Sequence, residues 1–288
     1  MFRIISFVLL FGTLFGGFIL AHGTMKLLWH PYELIMIFGP TFSCFCIASP
    51  LPVVKETGRQ IIGLFKNKYS NEFYKNSLLL MFELMKLYKE KGNVDLENHL
   101  ENPQESSIFK KYTVILNDEK SLNFITENLR LVTNGKFSPH DIDAYVDSEI
   151  EGYIAEVSQC SDALDQLCDA LPSLGIVAAV LGIIITMQHI NGTAYELGQH
   201  ISSALFGTFA GVFSAYGIVS PLSKGISTNT EKQRHYLEVL KSFILSVVHG
   251  YSPYIALEIA RKNIPPALRM SQADIEKSLR GEATESPA

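Results

Sequence analysis

The sequence predicts an all-α membrane protein: four transmembrane helices, a large helical cytoplasmic domain between spans two and three, and a cytoplasmic C-terminal tail. First, residues 4–25, 34–54, 170–195 and 197–223 contain no Asp, Glu, Lys or Arg. Each stretch is long enough to cross a hydrocarbon core of ~30 Å, which takes about 20 residues of helix. Second, charge is segregated. Mean hydropathy is +0.17 and 47% of residues are hydrophobic, yet the stretch between the two apolar pairs is mostly polar. Third, apolar residues in that polar stretch recur with a helical period, and no strand pattern stands out. The chain divides on this reading into spans one and two (1–54), a helical domain (55–169), spans three and four (170–223) and a tail (224–288).

Span one resembles a signal peptide only in hydropathy. It lacks a basic leader beyond Arg3, and Ala21, His22 and Gly23 make a poor cleavage site, so it is expected to be retained. Its Gly12 and Gly16 form a GxxxG, a close-packing signal. Orientation follows from basic residues near the span ends. The link 24–33 holds Lys26 alone and the link 188–199 holds no Lys or Arg, whereas Lys55 and Arg59 follow span two and Lys224 follows span four. The short links are therefore expected outside, with both termini, the insert and the tail in the cytoplasm of a multi-pass membrane protein.

In the insert, Leu78, Leu79, Phe82, Met85 and Tyr88 give a helix over 74–91, ended by Gly92 and Asn93. Residues 100–106 read as a turn, with Pro103 placed to start a helix. A helix over 122–134 is closed by Gly135. Ser138 and Asp141 then cap a long helix from Ile142 towards Leu171, running almost directly into span three. The tail shows a helix over 231–248, then Gly250-Tyr251-Ser252-Pro253, a final short helix, and about ten end residues expected to be disordered.

Several functions are excluded by composition. A net charge of −5 does not suit broad nucleic-acid binding. No nucleophile–base pair or phosphate loop is visible, so the chain is not expected to be an enzyme. Cys44 and Cys46 lie in span two and Cys160 and Cys168 on a helix, without the spacing of a zinc or disulfide framework; no metal and no cofactor is expected.

Spans three and four differ from the Phe-, Ile- and Leu-rich first pair. Gly175, Ala179, Gly182 and Thr186 fall on one stripe, and Ser203, Gly207, Gly211 and Ala215 recur every four residues on the next span. Such ridges serve either mutual packing of the two spans or a narrow water path. Pro172 opens span three and Pro221 closes span four, as helix punctuation or as hinges at matching depth. An ion pump normally keeps an ionisable side chain near mid-membrane. Here the mid-span polar groups are hydroxyls, among them Thr41, Thr186, Thr208 and Ser214, which cannot carry a proton at physiological pH. Either the chain moves no ion, or another polypeptide brings the acid.

Several motifs, in this order and spacing over nearly the whole length, carry a resemblance. They are Gly12-Thr13-Leu14-Phe15-Gly16-Gly17, Pro31-Tyr32-Glu33-Leu34, Leu100-Glu101-Asn102-Pro103, the run from Leu171-Pro172 to Ala179-Val180, Gly207-Thr208-Phe209-Ala210-Gly211, Ala215-Tyr216-Gly217 ahead of Pro221, and Gly250-Tyr251-Ser252-Pro253. The chain resembles the MotA/PomA family of bacterial flagellar stator subunits, relatives of the TolQ- and ExbB-like energisers. The resemblance implies five copies around two copies of a single-span, peptidoglycan-binding partner, MotB, whose membrane aspartate binds the ion. It also implies that Pro172 and Pro221 are the family's functional prolines, that Thr208 is the hydroxyl near the ion path, and that Lys89 and Glu97 are the charged pair that meets the rotor protein FliG. The family's basic position is commonly arginine, so Lys89 is a departure; Glu149 is a third rotor-contact candidate. Sodium-type relatives place a threonine where this chain has Val177, Ala178, Ala179 and Val180, which favours protons over sodium and puts Ala179 beside the path. The competing reading is an energiser of the TolQ/ExbB type that drives an outer-membrane system.

Overall fold

The computed structural model describes residues 2–133 and 137–279. Gly135 and the end of the tail lie outside these described residues. Within them the chain forms twelve α-helices and no strand. They are α1 Phe2–Leu20, α2 Pro31–Ala48, α3 Leu51–Gly63, α4 Asn71–Lys91, α5 Asn93–Glu101, α6 Thr113–Leu116, α7 Glu119–Thr133, α8 Pro139–Gln188, α9 Ala194–Phe213, α10 Ser220–Val248, α11 Pro253–Asn263 and α12 Gln272–Leu279. Four helical segments are long and apolar enough to cross a membrane: α1, α2, α8 and the run from α9 into α10. Two compact units divide the chain: Met1–Lys66 with Glu156–Thr230, and Asn67–Ala155 with Glu231–Ala288, so that α8 and α10 contribute residues to both.

In the first unit, α2 starts on Pro31 at a position where a missing N–H costs nothing. It ends at Ala48, short of the expected 34–54 span. Pro50 pushes Ser49 into an extended conformation (φ −116°, ψ 134°), and α3 begins afresh at Leu51. The face of α2 bearing Glu33, Ile37, Thr41 and Phe45 is buried. α1 leaves Gly12 and Gly16 with nothing within 4 Å of a built Cβ. It meets the rest of the unit through Phe11 and Phe15, whose rings stand edge-on to Phe213 at 5.6 and 6.3 Å.

Pro172 and Pro221 both lie inside helices. Pro172 sits within α8, which runs unbroken over 50 residues. Pro221 follows a π-helical stretch, Ser214–Val219, that joins α9 to α10 in one helix of 55 residues. A proline lacks an N–H and crowds the carbonyl four residues earlier. The wider π turn re-registers the hydrogen bonds just ahead of Pro221, so the helix goes on through it to Val248 rather than closing.

The second unit is built on a large-residue core around α4. Leu78, Leu80, Met81, Leu84, Met85, Phe109, Ile125, Leu129, Leu240 and Phe243 are fully buried. Its polar joints include helix caps and one long-range bond. Ser70 caps α4 through the Phe73 N–H, and Gly92 ends the helix with φ +90°, where a side chain would be strained. Ser77 and Tyr236 share a buried 2.9 Å hydrogen bond, and Asp118 caps α7 through Ser121. Pro103 lies in a turn after α5 and starts no helix; Ser106 takes up the following N–H groups of Ile108 and Phe109.

Candidate functional site

In the first unit the small-residue ridges pack against each other. A Cβ built on Gly211 would lie 2.7 Å from the Leu171 carbonyl oxygen and 2.9 Å from Gly175 Cα. One on Gly175 would lie 2.9 Å from the Gly207 carbonyl oxygen, and one on Gly182 would lie 2.9 Å from Ala204 Cβ. Of the two uses open to these ridges, mutual packing of α8 and α9 is the one adopted. The opposite face of α8, with Ile176, Val177, Val180 and Ile184, is left exposed.

This close approach assembles the residues singled out above. Gly211 abuts the backbone immediately before Pro172. Gly207 faces Ala178 and Ala179, and Thr208 follows it on α9. Thr41 and Thr186 return their hydroxyls to carbonyls four residues earlier, at 2.6 and 2.8 Å. The half-buried Thr208 hydroxyl has no such bond among the described residues, so it is free to orient a water or an ion.

A thiol contact also links the two prolines' helices. Cys168, four residues before Pro172, donates its thiol to the Ala215 carbonyl at 3.4 Å. The same carbonyl accepts the Ser220 N–H across the π turn. A buried oxygen in the irregular stretch preceding Pro221 is thus read by the turn of α8 that ends at Pro172. Sequence spacing held no signal for this contact.

A second feature missed in the sequence is Glu33. It is buried at 7% exposure, where it accepts the Ser203 hydroxyl of α9. Its four-residue phase with Ile37, Thr41 and Phe45 was the available signal. At the same end, Trp29, Tyr32 and Tyr195 are exposed, as aromatic rings at a membrane interface are.

The charged candidates lie in the second unit. Lys89, in the last turn of α4, donates to the Tyr251 carbonyl at 3.3 Å. That carbonyl belongs to the Gly250–Pro253 turn, shaped by Gly250 at φ +85° and by Ser252, which caps α11. Glu97 of α5 accepts from Asn93, whose amide also reaches the Thr133 carbonyl. Lys89 and Glu97 flank the α4–α5 corner without an ion pair among the described residues, so both charges are available to a partner. Glu149 is placed differently. It accepts from Asn128 at 2.9 Å and lines a cavity of about 300 Å³ with Glu127, Lys120 and Tyr153. Burial raises its carboxyl above the ordinary range, opposed by the Asn128 hydrogen bond and reinforced by Glu127.

A family model described as motility protein A N-terminal matches residues 4–92, and one for the MotA/TolQ/ExbB proton channel family matches residues 117–239. Motility protein A of Salmonella typhimurium and of Escherichia coli K12 are each 34% identical over 278 residues, covering 96% of this chain and 94% of theirs. The solved C. jejuni MotAB structure superposes with a TM-score of 0.76 at 18% identity, over 93% of this chain and 98% of that one. Identity over 96% of the chain bears out the family resemblance: the chain belongs to the motility protein A family of the MotA/TolQ/ExbB proton channel proteins.

Proposed function

We propose that the chain is the ion-conducting stator subunit of a bacterial flagellar motor, working in the inner membrane with a MotB-like single-span partner that grips peptidoglycan. The observation that carries this reading is a membrane unit with a half-buried, unbonded Thr208 hydroxyl and no ionisable group at mid-span. Such a unit supplies a wall and leaves the acid to the partner. The arrangement is five subunits around two partners, as the family implies.

The transported ion, a proton rather than sodium, neutralises the partner's carboxylate in a narrow site beside Ala179 and Thr208. Loss of that charge changes the position the subunit prefers against its partner. Pro172 and Pro221 mark where α8 and the π-joined helix yield, with the Cys168–Ala215 contact coupling the two yields. Lys89 and Glu97 then engage FliG of the rotor, where complementary charge favours rapid, reversible contact over tight binding. Full-length identity to motility proteins supports this reading over an energiser of the TolQ/ExbB type. With its short links outside, both termini are cytoplasmic.

The test is motility of a stator-deletion strain complemented by this chain and its partner. Lys89→Glu and Glu97→Lys are each expected to slow swimming, and rotor-side charge reversal is expected to restore it. Thr208→Val and Pro172→Ala are expected to stop rotation with normal membrane levels. Speed at fixed pH is expected to be indifferent to external sodium. Normal motility in all four variants overturns the stator mechanism, and speed that collapses without sodium overturns the proton assignment.

A further inference from the structure

The mechanism above leaves one membrane acid unused. Among the described residues Glu33 is the only buried carboxylate. It lies in the first turn of α2, on the face packed against α9, and its Oε1 accepts the Ser203 hydroxyl. A carboxylate inside a membrane unit is costly, and such groups are retained where they are matched or used. The match here is thin. The positive end of α2 helps, but one neutral hydroxyl leaves much of an anion's charge uncompensated.

Position supports use. Ser203 precedes Thr208 by five residues on α9, an axial step of about 7.5 Å. Ser203 therefore stands about 1.4 turns along α9 from the proposed path hydroxyl and about 140° around the helix from it. The other charged or histidine groups near this end are Lys26, His30, Glu196 and His200, the last stacked on His189 at 4.8 Å.

We infer that Glu33 is a cation-handling carboxylate of this subunit's own, which takes up the transported ion at the outward mouth and hands it towards Thr208 and the partner's acid. The inference rests on the ion-conducting reading above. For a proton the step balances simply. Glu33 takes a proton from outside water, becomes the neutral acid, and releases the same proton to water beside Ser203. It is then an anion again, and the partner's carboxylate is neutralised further along. Ser203 exchanges a hydrogen bond and no covalent partner.

The alternative is a structural tie between α2 and α9, and Glu33→Gln separates the two because an amide oxygen still accepts from Ser203 but cannot carry the proton. The experiment measures proton influx into cells or vesicles holding the full complex, normalised to assembled complex, for wild type, Glu33→Gln, Glu33→Asp and Thr208→Val. Influx in Glu33→Gln is expected to fall by about tenfold or more, the scale of losing a proton-transfer group, with Glu33→Asp retaining most of it. Wild-type influx per complex in Glu33→Gln overturns the inference, as does a loss wholly accounted for by reduced assembly. Influx lost in Thr208→Val and kept in Glu33→Gln sinks this inference alone. No influx through the wild-type complex sinks the ion-conducting reading with it.

Discussion

In the membrane unit α8 and α9 meet backbone to backbone through Gly175, Gly182, Gly207 and Gly211, whereas the second unit closes on Tyr74, Met81, Leu84, Phe109, Tyr236 and Phe243. The difference follows from the solvent. Lipid gives no hydrophobic drive for helix association, so helices gain by close approach and van der Waals contact, and small residues permit that approach. Water drives large side chains inward in proportion to their area. The membrane unit should therefore fail when atoms are added, and the second unit when atoms are removed.

The largest effect is expected from Gly211→Val, since its new Cβ meets the Leu171 and Gly175 backbones, which cannot move aside as a side chain would. Loss of the assembled complex on native gels and of motility is the expected outcome; a motile Gly211→Val strain breaks the comparison. The matched control is Gly16→Ala, whose Cβ meets nothing within the chain. It is expected to leave the monomer fold intact, so that any defect it shows reports on another chain.

In the second unit Phe243→Ala should cost about 3–5 kcal/mol, the usual range for emptying a fully buried aromatic site. Denaturant unfolding of the detergent-solubilised protein, followed by near-ultraviolet circular dichroism, measures it. A loss under about 1 kcal/mol, the scale of a surface change, contradicts the packing described.

The smallest effect concerns Glu149. Its carboxyl is raised above the ordinary 4.5 by burial, so the folded state holds the proton more tightly than the unfolded chain. Its stabilising contribution is thus complete below about pH 4.5 and is lost as pH rises through the shifted value. Glu149→Gln removes that decline. The variant is expected to be slightly more stable than wild type at neutral pH and equal to it in acid. A variant less stable than wild type at neutral pH, with the difference closing as pH falls, reverses the assignment and makes Glu149 a partnered charge.

Local signals carried much of the architecture. The α4 stop at Gly92, the Ser138–Asp141 cap of α8 and the glycine spacing on α8 and α9 are patterns within a few residues of one another, and the structure contains each. What escaped depended on partners distant in sequence. Pro172 and Pro221 read as helix ends because the π turn that accommodates Pro221 leaves no residue signature. Span two read through to Val54 because hydropathy does not register what Pro50 does to Ser49. Glu149 read as one charge among many, its half-buried state being set by Asn128 and the cavity it shares with Glu127 and Tyr153. Glu33 read as a link residue, since only Ser203, 170 residues away, reveals that it is inside.

The central claim is that this chain walls an ion path and does not hold the mid-membrane acid. Proton conductance of vesicles containing the chain alone, compared with vesicles containing it together with its single-span partner, tests this directly. The account predicts no conductance above the lipid background for the chain alone, and conductance once the partner with its membrane carboxylate is present. Conductance by the chain alone would contradict it.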